Sequence, residues 1–109
     1  LMVQGDERLK EVRRSLRATT EGVGVDGTTL AVTLEWLGRL DQRQLWCQRP
    51  VATLHLFGER DPLVSAATPR ELGLDPGCWE VVAGMAHWPG GPRADEIRSP
   101  IDEFRKQLT

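Results

Sequence analysis

Apolar residues recur at helical spacing over 6–18, where Leu9, Val12 and Leu16 share one face and Lys10, Arg13, Arg14 and Arg17 line the neighbouring one. That period predicts an amphipathic helix, with Asp6 as its N-cap and Glu7 favourable in the first turn. After the Gly-containing loop Glu21-Gly22-Val23-Gly24-Val25-Asp26-Gly27, the same period predicts a second helix over 28–40 with Leu30, Leu34 and Leu37 inward. The two helices are expected to form a hairpin-like unit without a strand. From Pro50 the pattern changes. Val51-Ala52-Thr53-Leu54-His55-Leu56-Phe57 is a nearly continuous apolar run closed by Gly58, as a strand buried on both faces requires. A short helix over 66–72, the turn Asp75-Pro76-Gly77 and a second strand over 78–83 follow. Ile97, Ile101, Phe104 and Leu108 then place a last helix at 94–108.

Strand, helix, strand, helix from 51 onward predicts a parallel pair joined by a right-handed crossover, hence an α/β fold class. Two strands make a poor sheet. A strand as apolar as 51–57 expects neighbours on both edges and layers on both faces, more than this chain offers.

Composition narrows the function classes. The 109 residues suit one small domain, and 39% apolar content with a net charge of −2 is ordinary globular composition, which argues against disorder and low-complexity sequence. The acidic balance gives no whole-chain case for nucleic acid, and the basic stripe on the first helix has no interleaved aromatics. No apolar run is long enough for a membrane span, and the N-terminus is too short and acidic for a signal peptide, so a soluble, cytoplasmic protein is expected. Cys47 and Cys78 are read as free thiols, too few and too far apart for a disulfide framework or a metal site. His55, inside the apolar strand, is read as a structural histidine. No metal and no cofactor is expected. Because the chain begins at Leu1 rather than Met, a piece of something longer is also expected.

Candidate chemistry lies at the strand ends. In Leu56-Phe57-Gly58-Glu59-Arg60-Asp61-Pro62-Leu63-Val64 a carboxylate sits just beyond the first strand, and Ala83-Gly84-Met85-Ala86-His87-Trp88 places a histidine beyond the second. Active sites of parallel sheets gather at the C-terminal ends of strands, and one crossover fits in the 26-residue separation of Asp61 and His87. An Asp accepting from a His ring nitrogen fixes the tautomer and prepares the other nitrogen to act as a general base. The alternative is a surface Asp turn and a helix-capping His.

These stretches, with Leu40-Asp41-Gln42-Arg43 and Arg49-Pro50-Val51, resemble the C-terminal half of an α/β-hydrolase. Within that superfamily, Leu1-Met2-Val3-Gln4-Gly5 and the basic helix from Lys10 to Arg17 are similar to the cap of the pimeloyl-acyl-carrier-protein methyl ester esterases of biotin synthesis. The resemblance covers nearly all of the chain. It implies a partial α/β-hydrolase fold, with 1–40 as a helical cap segment and 41–109 as the last two parallel strands and C-terminal helix of the core. It implies a serine carboxylic ester hydrolase in which Asp61 is the triad acid and His87 the triad base. It also implies an ester substrate linked to acyl carrier protein, whose acidic helix Lys10 and Arg14 would receive. Trp88, beside His87, is placed to line an acyl pocket, whereas Trp36 and Trp79 are read as core.

The chain departs from the family in lacking a Gly-x-Ser-x-Gly nucleophile elbow and the oxyanion loop. Ser15, Ser65 and Ser99 stand in other contexts, and Trp88-Pro89-Gly90-Gly91-Pro92 replaces the usual residues after the histidine. The expectation is a hydrolase part that is inactive alone, with nucleophile and oxyanion donors upstream of Leu1. The alternative is a non-enzymatic binding module, a degenerate hydrolase remnant that binds an acidic partner through the basic helix or self-associates through exposed strand edges at 51–57.

Overall fold

The computed structural model describes residues 1–48 and 50–109, so Arg49 of the Arg49-Pro50-Val51 motif lies outside the described residues. Its helices are α1 (Leu9–Thr20), α2 (Gly27–Arg39), α3 (Arg43–Gln48), α4 (Thr68–Glu71) and α5 (Ala94–Gln107). Its strands are β1 (His55–Gly58) and β2 (Trp79–Val82), and single 3-10 turns occupy Pro76–Cys78 and Gly91–Arg93. The strands pair in parallel, with His55 opposite Trp79 and Gly58 opposite Val82. This is the α/β arrangement that the strand and helix order predicts.

The first strand is shorter than the apolar run that announces it. Val51 is 70% exposed, Leu54 to Leu56 are half-buried, and only Phe57 and Gly58 are buried. Among the described residues β2 is the only strand partner, so the ladder holds four residues and the rest of the run has no neighbour to fix it. The ladder does continue past β1, because Glu59 N–H donates to the Val82 carbonyl at 3.0 Å and Arg60 N–H to that of Met85 at 2.9 Å. This brings the two loops beyond the strands together. Gly58 makes the approach possible: a Cβ there would fall onto the Ala86 carbonyl oxygen and lie 2.6 Å from that of Met85. Neither is a movable side-chain tip. Gly58→Ala is expected to cost about 1–3 kcal/mol through backbone displacement, read as a lower urea midpoint at unchanged slope.

Val12 of α1 is fully buried and Leu9 and Leu16 are half-buried, so the predicted face is the one that packs. It packs on the 3-10 turn at 91–93, where a Cβ on Gly91 would lie 2.6 Å from that of Ser15. The helix starts later than expected. Arg8 occupies the N-cap position without a side-chain cap, because the Asp6 carboxylate, though it accepts from Arg8 N–H at 2.7 Å, is held mainly by Arg93.

The predicted α1–α2 hairpin does not bury its apolar stripe. Asp26 caps α2, accepting from Thr28 and Thr29 N–H, yet Leu30, Leu34 and Leu37 are 47%, 57% and 79% exposed. The apolar face of α1 is already covered elsewhere, so among the described residues α2 meets no matching surface. Trp36, read as core, is exposed for the same reason. Trp79 is half-buried with the Arg70 guanidinium 5.2 Å from its ring centre, a cation–π contact. Helix α3 escapes the periodicity analysis; it begins where Asp41 accepts from Arg43 N–H at 3.1 Å, a local turn rather than an apolar repeat. Helix α5 begins as expected, with Ile97 and Phe104 half-buried and Leu108 exposed. No helix among the described residues is long and apolar enough to cross a membrane.

Candidate functional site

Asp61 opens the loop after β1, and its local sequence explains its pose. Pro62 has no amide proton to offer, and the next two amides, Leu63 and Val64, turn back and donate to Asp61 Oδ1 at 2.7 and 3.0 Å. That leaves Oδ2 aimed across the sheet end at His87 Nδ1, 2.7 Å away. The Asp61 side chain is 6% exposed and that of His87 38%. Burial by itself raises the pKa of the Asp61 carboxyl, but the Val64 amide, the His87 ring and the Leu63 amide outweigh it and hold the group below its ordinary value. Asp61 is therefore an anion at neutral pH, and an anion bonded to Nδ1 selects the tautomer whose Nε2 carries the lone pair.

His87 sits on a loop whose peptide groups are tied down on both sides. Gly84 N–H donates to Glu59 Oε2 at 2.6 Å, and the Gly84 carbonyl accepts from Glu7 N–H and Arg93 Nη2, each at 3.1 Å. The Ala86 amide donates to Asp6 Oδ2 at 3.3 Å, while the His87 and Trp88 amides share the Met2 carbonyl at 2.9 and 3.0 Å. Met85 and Ala86 are buried beneath.

Asp6 and Arg93 form a closed ion pair under this loop. Arg93 Nη2 meets Asp6 Oδ1 at 2.7 Å and Nε meets Oδ2 at 3.1 Å, with side chains 4% and 1% exposed for Arg93 and Asp6. This two-bond geometry is the arrangement in which a guanidinium binds a carboxylate most strongly. Burial pushes the Asp6 pKa up, yet the Arg93 bond and the Arg8 and Ala86 amides bring it below the ordinary value. The Asp6 bond in turn raises the pKa of Arg93. Nothing in the sequence marks this pair, since Asp6 carries a capping signal and Arg93 stands among Gly and Pro without periodicity.

A cavity of about 460 Å³ opens beside the Asp61–His87 pair, bordered by Trp46, Phe57, Val64, Pro89 and Ile97 among others. His55 stacks on Trp46 at its edge, ring centres 4.4 Å apart. Trp88 is not among the bordering residues. Its ring folds over Gly90, where a Cβ would lie 2.6 Å from it. A larger open groove of about 950 Å³, lined by Trp36, Leu37 and Leu72 and sharing Trp46, contains neither Asp61 nor His87.

Lys10 and Arg14 lie exposed on α1. Among the described residues no ion pair joins Lys10, Arg13, Arg14 or Arg17 to a carboxylate. Ser15 lies under Gly91, Ser65 accepts from Ala67 N–H at 3.1 Å, and Ser99 lies exposed on α5, so none borders the cavity. Cys47 is exposed and Cys78 buried, both free. No group of three or more metal-ligating side chains occurs among the described residues. The arrangement can thus orient a base and take up a proton at His87 Nε2.

No protein-family model matches the chain, and no solved structure matches it. Over 78 residues, 70% of its length, the chain is 38% identical to the biotin biosynthesis bifunctional protein BioHC of Saccharophagus degradans, of whose length it spans 14%.

Proposed function

We propose that this chain is the acid- and base-bearing C-terminal part of a serine α/β-hydrolase that cleaves carboxylic esters, with 1–40 belonging to its cap and 41–109 to its core. The observation that carries the reading is the 2.7 Å contact between Asp61 Oδ2 and His87 Nδ1 beyond the ends of two parallel strands. In the assembled enzyme His87 Nε2 takes the proton of a serine held on a Gly-x-Ser-x-Gly turn as its oxygen attacks the ester carbonyl. The proton passes to the departing alcohol, and His87 then activates the water that releases the acid. Asp61 stays ionised throughout and stabilises the imidazolium. The likeness to a protein of biotin biosynthesis supports a methyl ester of pimeloyl-acyl-carrier protein as substrate.

The test joins two observations. The coding sequence upstream of Leu1 is read in frame for Gly-x-Ser-x-Gly, and the chain is assayed on a short p-nitrophenyl ester with and without that segment. Hydrolysis is expected only with both. Turnover by the 109 residues alone, lost in His87→Ala, would overturn the missing-nucleophile argument. A start codon with no elbow upstream would favour the binding-module reading.

The bare cationic stripe on α1 favours a docking role in either case. Lys10→Glu with Arg14→Glu is expected to weaken binding of an acidic carrier protein about tenfold at low salt, mainly through a slower on-rate. Titration calorimetry checks it, and unchanged affinity removes the docking role.

A further inference from the structure

We infer that the buried Asp6–Arg93 ion pair is a positioning device for His87, setting the angle at which its ring meets Asp61; the inference rests on the acid–base reading of that histidine. Both members reach the loop backbone directly. Asp6 Oδ2 accepts from the N–H of Ala86, the residue immediately before His87, and Arg93 Nη2 donates to the Gly84 carbonyl. One carboxylate and one guanidinium therefore grip the loop at two places while gripping each other. The segment that carries Asp6 adds a third grip, because the Met2 carbonyl accepts from both His87 and Trp88 N–H.

The opposite side of the loop is held differently. There Glu59 takes the Gly84 amide, and Arg60 N–H takes the Met85 carbonyl. Those bonds come from the Asp61 side and move with it. The Asp6–Arg93 side references the histidine to α1 and α5 through buried groups, since α1 and the 3-10 turn at 91–93 pack against one another and Arg93 also bonds Glu96 at 2.6 Å, whereas the ion pair from Arg60 to Glu7 on the other side is half exposed. A carboxylate–imidazole bond of 2.7 Å weakens steeply when its donor angle opens. A loop free to pivot about its Asp61 side would lose that angle first.

The His87 Nδ1 proton reports the geometry without any need for turnover. In the 109-residue chain, isotope-labelled at the histidine ring nitrogens, this proton is expected as a downfield resonance protected from solvent, absent in His87→Ala and lost in Asp61→Asn. In Asp6→Asn and in Arg93→Lys it is expected to be lost into exchange while the amide dispersion of β1 and β2 persists. Arg93→Lys keeps a cation beside Asp6 and supplies the answer if Asp6→Asn does not fold. Leu74→Ala, a buried position outside the loop, is the control for general loosening and should keep the resonance. The inference is overturned if the folded Arg93→Lys or Asp6→Asn variant keeps the Asp61-bonded proton, or if Leu74→Ala loses it equally. If Asp61→Asn leaves the resonance unchanged, it is the acid–base reading that fails, and the two failures are told apart.

Discussion

Arg93→Ala is expected to remove about 3–5 kcal/mol of stability, the usual result of deleting one partner of a buried ion pair. The Asp6 carboxylate, 1% exposed, would keep its charge or its burial but not both. The Gly84 carbonyl and Glu96 would lose donors in the same step. Small domains have only about 5–15 kcal/mol to lose, so urea melting should show a sharp fall in midpoint. Arg8→Ala is the comparison. Arg8 also joins two carboxylates, Glu11 and Glu96, but its side chain is 41% exposed, and its loss should cost at most about 1 kcal/mol. Equal effects of the two variants would mean that the buried pair contributes no more than a surface one. Replacing Asp6 and Arg93 together by apolar residues should be much milder than Arg93→Ala, because no unpaired charge remains.

In the ester hydrolase proposed above, Asp61→Asn is expected to lower kcat about ten-thousandfold with little change in KM, as loss of the acid does in serine hydrolase triads. The amide keeps an oxygen for the Leu63 and Val64 amides, so the loop should hold its shape. Its nitrogen would then face His87 Nδ1 and, as a donor, would favour the tautomer that leaves Nε2 protonated and unable to take a proton from serine. Steady-state assays of purified wild type and variant check this. A fall of less than tenfold would mean that His87 is oriented without Asp61.

The approach of Asp61 and His87 is legible in the sequence because each lies in the loop that follows a strand, and the ends of paired parallel strands bring those loops to one edge. The parallel pairing is legible for the same local reason. What the sequence conceals depends on distant surfaces. Leu30, Leu34 and Leu37 repeat at helical spacing, and periodicity says which face is apolar but not whether anything covers it. The apolar run 51–57 likewise states what β1 is suited to bury, while among the described residues pairing with β2 alone limits how much it does. Asp6 shows how one residue can satisfy two rules. Its position before an amphipathic helix is a capping signal, and it still bonds Arg8 N–H, yet its stronger partner is a guanidinium at the other end of the chain. No local pattern marks such a pair.

That separation has a consequence for the order of events during synthesis. Asp6 and Arg93 lie 87 residues apart, so at about 5–20 residues per second the ribosome adds Arg93 roughly 4–17 s after Asp6. Helix relaxation takes about a microsecond or less, so α1, too short to persist alone, forms and melts many times before its anchor exists. Throughout that interval Asp6 is a hydrated carboxylate on a mobile strand of chain. The grip of Arg93 on the Gly84 carbonyl and on Asp6 can form only as α5 begins to emerge, and a product that stops short of Arg93 lacks both bonds at once.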